Sequence, residues 1–515
     1  VKQPAWANAT RRHFLSSIAA VAALTSAPHC LLAEAPVEEA AGMEAKLAAD
    51  PERPQFHLLP AKNWMNDPNG PIYFKGRYHM FFQYDPHAAV WGDISWDHAI
   101  STDMIHWEHL PVAMTPTPGG PDAAGCFSGS CIAMGDRVYA VYTGVVESTP
   151  EKATIRDGSN KLEESQCLAY SDDPKLMQWT KLPKPIVPTP PTGLQITGFR
   201  DPSAWKQGDW YYMTVGSGIA KLGGCVLLYR SKDLKEWTYL HKLEQGVWNE
   251  KSEANPVGSG EMWECPEFFA LDSGHVLIYS SEGKVFWQSG KLDADAMKFY
   301  PSKSGELDLG SYYAPKTQLD AHGQRILWGW IPETRPVAEY NTAGWSGMMS
   351  LPRVLRLGPD GVLQMQLLPA LTKLRASSLA TASAGKTTTL TLPLANGELV
   401  CTADQSQGFS LSLTNAGSRE ELMRITYHSE NNSLSAEGKE VPMLPGETPR
   451  LHAFVDGSVI GIILNERIGY TKRFYYPGAT APDISVTLTG TGVHASAWKI
   501  KPISNNRLTT PALTM

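Results

Sequence analysis

Between residues 51 and 355 the chain repeats one pattern: a short strand-like run, a turn, then a strongly apolar run of alternating residues. Pro71-Ile72-Tyr73-Phe74 leads to Tyr78-His79-Met80-Phe81-Phe82, and Ser130-Cys131-Ile132-Ala133 leads to Val138-Tyr139-Ala140-Val141-Tyr142. Ser203-Ala204-Trp205 precedes Trp210-Tyr211-Tyr212-Met213, and Phe268-Phe269-Ala270 precedes Val276-Leu277-Ile278-Tyr279. The last pair is Lys316-Thr317-Gln318 with Arg325-Ile326-Leu327-Trp328. Lys75-Gly76, Gly135-Asp136, Gly208-Asp209, Ser273-Gly274 and His322-Gly323 supply the turn chemistry that tight hairpins need. A second repeat falls between the hairpins: Ser101-Thr102-Asp103 before Trp107, Ser171-Asp172-Asp173 before Trp179, and Ser231-Lys232-Asp233 before Trp237. Units with inner and outer hairpins are the blades of a propeller, commonly four strands each. Five inner hairpins therefore predict a five-bladed β-propeller over residues 51–355. Two stacked sandwiches would leave the recurring Trp turn unexplained.

After about residue 375 the texture changes to Thr/Ser/Leu alternation, as in Thr387-Thr388-Thr389-Leu390-Thr391-Leu392 and Phe409-Ser410-Leu411-Ser412-Leu413. This predicts an antiparallel β-sandwich over residues 376–505, joined by a linker at 356–375 with a short helix around Leu367 to Leu374. The fold class is thus all-β, a propeller followed by a sandwich. A chain of 515 residues exceeds what one hydrophobic core serves, which agrees with two domains.

Composition narrows the function. Charged residues make up 19%, while 16 Trp and 19 Tyr offer aromatic surface suited to sugar rings. A net charge of −7 without a long basic run argues against a nucleic-acid partner. Seven cysteines at irregular spacing show no metal pattern, and no metal or cofactor is expected. Cys126 and Cys131 are read as neighbouring strand positions. Thr10-Arg11-Arg12-His13-Phe14-Leu15 before an Ala-rich apolar stretch, with Ala33-Glu34-Ala35 after it, predicts a twin-arginine export signal over residues 1–35 and a linker at 36–50. The mature protein is then expected to be periplasmic or secreted and free of membrane. Oligomeric state stays open.

The candidate chemistry lies in three stretches: Trp64-Met65-Asn66-Asp67-Pro68-Asn69-Gly70, Phe199-Arg200-Asp201-Pro202 and Trp263-Glu264-Cys265-Pro266-Glu267. A lone Asp before a strand is usually a turn former. Here Asp67, Ser128, Asp201, Glu264 and Asp308 are read as one position repeated around the ring, and three of those five are acids beside a Trp-rich surface. Carboxylates converging on a cleft are the equipment for cleaving glycosidic bonds.

On these motifs the chain resembles glycoside hydrolase family 32, the invertases, inulinases, levanases and fructan exohydrolases. Supporting matches are Phe81-Phe82-Gln83-Tyr84, Trp91-Gly92-Asp93, Phe127-Ser128-Gly129-Ser130, Tyr312-Tyr313-Ala314-Pro315-Lys316-Thr317, Ile326-Leu327-Trp328-Gly329-Trp330 and Leu351-Pro352-Arg353. The resemblance implies a five-bladed propeller plus sandwich and a sugar or fructan substrate. It implies Asp67 as the nucleophile that forms a fructosyl–enzyme, and Glu264 as the acid and base. Asp201, oriented by Arg200, would hold fructose hydroxyls. Trp64, Asn66, Gln83, Trp91, Phe127 and Ser128 would line the fructose pocket, and an apolar wall of Trp263, Phe268 and Phe269 would raise the Glu264 pKa. Retention of configuration follows where the two carboxyl groups stand about 5–5.5 Å apart.

Three positions depart from the family pattern. The Asp that helps choose between sucrose and longer fructans is present as Asp308, but the partner Lys position holds Ser311. Asp97 follows Trp96 near the expected pocket rim, where many members carry Gly or Ala. Val455-Asp456-Gly457-Ser458-Val459-Ile460-Gly461 lacks the acid common in the sandwich. A transfructosylase shares all three acids, and a non-catalytic sugar-binding propeller would normally have lost one.

Overall fold

The computed structural model describes residues 37–155, 159–248, 261–384, 387–405 and 407–504. The predicted signal at 1–35 lies outside them. Five antiparallel meanders follow one another. The first is β1 (Asn63–Phe74), β2 (Arg77–Asp85), β3 (Ser95–Ser101) and β4 (Trp107–Met114). The second is β5 (Gly125–Met134), β6 (Arg137–Glu147), β7 (Leu162–Ser171) and β8 (Thr180–Lys181). The third is β9 (Ile196–Gln207), β10 (Trp210–Ile219), β11 (Gly223–Ser231) and β12 (Trp237–Gln245). The fourth is β13 (Glu264–Leu271), β14 (Gly274–Ser281), β15 (Lys284–Asp293) and β16 (Lys298–Asp308). In the fifth, β17 (Tyr313–Leu319) and β18 (Arg325–Ile331) are followed by the short β19 (Trp345–Ser346) and β20 (Met348–Met349), then by the outer β21 (Arg353–Leu357) and β22 (Leu363–Leu367).

The first strands of these sheets touch in a closed cycle, β1 to β5 to β9 to β13 to β17 and back to β1. Closure is reinforced where β19, after the fifth sheet's inner pair, joins β1 in parallel register. Apolar faces between sheets hold the ring: Trp107 of the first sheet meets Trp328 of the fifth edge-on, with ring centroids 5.6 Å apart. The Ser-x-Asp repeat is a capped turn. Ser101 Oγ accepts from the Asp103 and Met104 amides, and Ser231 Oγ does the same for Asp233 and Leu234. Met104, Leu176 and Leu234 take positive φ at these turns and bury their side chains.

One irregularity recurs in all five sheets and positions the site. Each first strand breaks its pairing so that two residues face one on the second strand. The extra pairs are Asn66-Asp67, Phe127-Ser128, Asp201-Pro202, Cys265-Pro266 and Ala314-Pro315. Proline cannot donate to the ladder, which favours a bulge beside it. Asp201, Cys265 and Ala314 sit at φ of 62°, 50° and 50°, so the backbone is twisted there into the left-handed region.

The C-terminal part is a β-sandwich. A six-stranded sheet containing Thr387–Leu392 and Lys439–Pro442 packs against strands including Asn396–Ala403 and Ile468–Arg473. Leu411 and Val486 from the first meet Leu399 and Ile462 from the second in one apolar cluster.

Four expectations change. Residues expected as linker at 36–50 include helix α1 (Val37–Ala49), whose Leu47 packs with Leu59 and Trp345. Strands β21 and β22 carry the fifth sheet past residue 355 to Leu367, and the expected short helix is the 3-10 turn Pro369–Leu374. Asp308 is not the fifth equivalent of Asp67: it ends β16 and belongs to the junction with the sandwich. Its carboxylate accepts from Arg353 Nη2 at 2.7 Å, the Thr471 amide at 2.9 Å and Thr471 Oγ1 at 2.8 Å, so both oxygens are occupied. A Cβ on Gly469 would stand 2.2 Å from Asp308 Oδ2, which is why the facing strand carries glycine there. Ser311 lies at the same junction, its amide donating to the Thr471 carbonyl at 2.7 Å. Asp97 is buried, not on a rim: Oδ2 lies 3.9 Å from His109 Nδ1. Asp456 accepts from the Gln55 and Phe56 amides and contacts His57 Nδ1 at 2.8 Å, tying the approach to β1 onto the sandwich.

Candidate active site

The bulges turn side chains that a regular ladder would send to opposite faces toward one end of the ring. Asp67, Asp201 and Glu264 are only 5%, 2% and 5% exposed, and each keeps a different set of partners. Asp67 Oδ1 accepts from Asn66 Nδ2 at 3.1 Å, and its Oδ2 accepts from Ser128 Oγ at 2.7 Å and Cys265 Sγ at 3.4 Å. Asp201 Oδ2 accepts from the Cys265 amide at 2.8 Å and its thiol at 3.5 Å. Glu264 Oε1 accepts from Arg200 Nε at 3.0 Å, while Tyr313 Oη donates to Oε2 at 2.6 Å.

The residues opposite the bulges complete the frame. Gln83 faces Asn66-Asp67 across the first hairpin and donates to Ser128 Oγ, which links the first and second sheets. Asn66 Nδ2 donates to Gln83 Oε1, and Trp64 Nε1 donates to Asn66 Oδ1 at 2.7 Å. Thr143 faces Phe127-Ser128 and accepts the Asp201 amide at 3.0 Å, linking the second sheet to the third. A band of rings flanks the acids: Trp64 lies near Trp330 and Tyr340, and Trp91 meets Phe127 edge-on at 5.8 Å.

Arg200 is held between two acids. Its Nη1 donates to Glu164 Oε1 at 2.8 Å, while Glu164 Oε2 accepts from the Phe199 amide and from Thr154 Oγ1. Burial opposes the Arg200 charge, but Glu164, Glu264 and Asp201 outweigh it and hold the guanidinium well above its ordinary pKa. The rings expected to wall Glu264 do otherwise. Trp263 stacks on Tyr279 at 3.8 Å, Phe268 packs with Trp205 and Phe299, and Phe269 lies in the core shared with Leu271.

Sequence reasoning placed Glu264 one residue out of register. Arg200-Asp201-Pro202, Glu264-Cys265-Pro266 and Tyr313-Ala314-Pro315 share one proline spacing, and Arg200, Glu264 and Tyr313 each pair just before the bulge, whereas Asp67 and Asp201 lie within it. Tyr313 is the residue missed by that slip, and the proline spacing was its signal. Glu164 had none: it lies mid-strand in β7 and matters only through Arg200. Cys265 does more than fill space, since its thiol reaches both aspartates. One ligand atom each from Asp67, Asp201 and Cys265 lies within 4.8 Å of the others, a grouping compact enough to hold a cation. Burial, with Asp201 and Asp67 adding, pushes the thiol well above its ordinary pKa, which keeps it an S–H whose one proton can go to either carboxylate.

Burial, with Glu264 and Asp67 adding to it, pushes Asp201 up from 3.8 to about 7, against the pull of Arg200 and the Cys265 amide. The folded protein then keeps a proton that the unfolded chain releases, so this group's contribution to stability is full below about pH 4 and is lost as pH rises to about 7. Asp201→Asn is expected to reduce the fall of Tm across that window, as read by scanning calorimetry at fixed ionic strength. The fall will not vanish, because buried Asp97 is also raised to about 7 with the same sign.

Residues 57–367 match the family described as Glycosyl hydrolases family 32 N-terminal domain. The chain belongs to glycoside hydrolase family 32. It is 33% identical over 450 residues to a sucrose-6-phosphate hydrolase of Zymomonas mobilis, covering 80% of this chain and 84% of that one. It is 30% identical over 484 residues to the sucrose-6-phosphate hydrolase of Escherichia coli, covering 87% and 94%. The Bombyx mori GH32 beta-fructofuranosidase superposes with a TM-score of 0.75 at 27% identity, over 90% of this chain and 98% of that one. This family 32 protein is therefore a glycoside hydrolase with the propeller-plus-sandwich architecture. The export expectation is overturned by the same comparison. Relatives spanning most of the chain are sucrose-6-phosphate hydrolases, whose phosphorylated substrate does not fit the expected periplasmic or secreted enzyme.

Proposed function

We propose that the protein is a retaining β-fructofuranosidase that releases a terminal fructosyl unit from sucrose, its 6-phosphate or short fructans. The observation that carries this reading is the contrast between two carboxylates at one end of the ring. Asp67 is held by Asn66, Ser128 and Cys265, three uncharged donors that fix its direction and leave it nucleophilic. Glu264 is held by a cation and a phenol, Arg200 and Tyr313, through which its proton can be positioned. Asp67 attacks the anomeric carbon while Glu264 protonates the departing oxygen; Glu264 then takes a proton from water, which cleaves the fructosyl ester. Asp201, between them electrostatically, accepts fructose hydroxyls, and its pull toward neutrality is relieved once those donors arrive. Trp64, Trp91 and Phe127 offer ring faces to the furanose, and Asn66 and Gln83 fix its hydroxyls. Asp308 is not part of this set. None of these steps calls on a cofactor.

Incubation with sucrose, sucrose 6-phosphate, inulin and levan tests the reading. Free fructose, or its transfer to another sugar at high substrate, is the expected product, and NMR of the first turnovers should show the β-anomer. Initial α-fructose, or release of no sugar from any of the four, would falsify it.

A further inference from the structure

Glu164 is fully buried in the middle of β7, and none of the steps above uses it. Gln166 stands two residues on, so both side chains leave the same face of the strand. That face holds the bulge of the third sheet. Gln166 Nε2 donates to the Phe199 carbonyl at 2.9 Å, and Glu164 Oε2 accepts from the Phe199 amide at 2.8 Å. Thr143, on β6, accepts the Asp201 amide at 3.0 Å and donates to Gln166 Oε1 at 2.9 Å. The second sheet thus fixes the backbone on both sides of Arg200 before any substrate arrives.

The two glutamates on Arg200 differ in what surrounds them. Glu164 Oε1 accepts from Arg200 Nη1 at 2.8 Å, and Oε2 accepts from the Phe199 amide and, at 2.9 Å, from Thr154 Oγ1. Each Glu164 oxygen therefore faces a group that can only donate, a guanidinium nitrogen on one side and a backbone amide on the other. Glu264 Oε1 likewise accepts from Arg200 Nε at 3.0 Å, but its Oε2 meets the Tyr313 hydroxyl at 2.6 Å. A hydroxyl donates or accepts as its proton turns, so Tyr313 can accept from a proton on Oε2. Glu264 is the glutamate placed to carry a proton, and Glu164 is the one held as an acceptor. Burial opposes the Arg200 charge, and Glu164 contributes more than Glu264 or Asp201 to keeping it. A buried cation left without its partner takes the nearest available counter-charge. Here that is Glu264, which is already bonded to the guanidinium.

We propose that Glu164 is a positioning residue for the acid step: it holds the Arg200 charge so that Glu264 keeps a proton for the departing oxygen. This rests on the assignment of Glu264 as acid and base. The two roles separate at Glu164. The acid step moves a proton from Glu264 to the leaving oxygen as the Asp67 ester forms, and an unshared Arg200 opposes it. The base step begins from the Glu264 carboxylate, which the same unshared cation favours.

The test compares kcat/KM for sucrose and for an aryl β-fructofuranoside in wild type, Glu164→Gln, which keeps the volume without the charge, and Glu164→Asp, which keeps the charge. Glu164→Gln is expected to lower the sucrose value roughly 10²-fold, while the aryl value stays within about threefold of wild type. The base step is spared, so no intermediate should accumulate and azide should not accelerate turnover, whereas loss of Glu264 itself would do both. Glu164→Asp should keep the wild-type ratio between the two substrates, whatever it does to Tm. Equal losses on both substrates, an intermediate that azide rescues, or a Glu164→Asp ratio as altered as that of Glu164→Gln would each overturn the proposal. Should Glu164→Gln not fold, the comparison moves to Arg200→Met and Arg200→Met/Glu164→Gln, which lack the cation. Their ratios should agree, and a ratio that the second substitution changes overturns the proposal. Should the wild type cleave no fructoside, the fructosidase reading itself fails. Infrared spectroscopy then decides Glu164 alone: the carboxylic-acid band that Glu264→Gln removes should also vanish in Glu164→Gln, and its persistence there refutes the proposal.

Discussion

Asp67→Asn is expected to lower kcat on sucrose by roughly four orders of magnitude, in line with the loss of a nucleophile that works as part of a unit. The fold should survive. Asn keeps the volume and one carbonyl oxygen for the Ser128 and Cys265 donors. It also removes one of the two charges that push Asp201 upward, so the Asp201 pKa should drop and Tm near neutral pH should hold or rise. Steady-state rates and scanning calorimetry on the same preparation separate the two effects. A variant that keeps a tenth of wild-type turnover with native Tm would remove Asp67 from the mechanism.

Glu264→Gln is expected to cost about 10²- to 10⁴-fold on sucrose, the usual range for a general acid. The loss should be much smaller for bond cleavage in an aryl fructoside, whose phenolate needs no proton to leave. The intermediate should then accumulate, because water lacks its base, and azide, which needs none, should rescue turnover as fructosyl azide. Without that pattern, Glu264 would be only a partner of Arg200. The amide oxygen still accepts from Arg200, the amide NH2 can donate to the Tyr313 hydroxyl in place of accepting from it, and Glu164 still pairs the guanidinium, so Tm should move by only a few degrees.

How much of this was legible depended on how local the signal is. The five hairpins and the Ser-x-Asp turns were readable because alternation, glycine turns and side-chain caps act within a few residues. The acids stood out because each sits next to a proline or one residue before its neighbour, in an otherwise strand-like run. The register of Glu264 was misread because a bulge inserts one residue, and such an insertion reverses which side chain faces the site. The same error assigned Asp308 to the ring and passed over Tyr313. Asp308 looks like a site acid in the sequence; only the sandwich strand carrying Gly469 and Thr471 shows where its oxygens are used. The rings after Glu264 looked like its wall, yet strand alternation and sheet packing turn them into the cores between sheets.

The sequence alone determined that the chain is built of hairpins, that these recur, and that three acids stand within two residues of a proline on the innermost strands. Those properties follow from turn chemistry and side-chain alternation, which no distant contact needs to supply. The tertiary structure decided which acids meet, what holds each one, and which of them is pushed toward neutrality. Residues 67, 201 and 264 come together only because apolar sheet faces close the ring, and the burial that closes it also strips the water from Asp201.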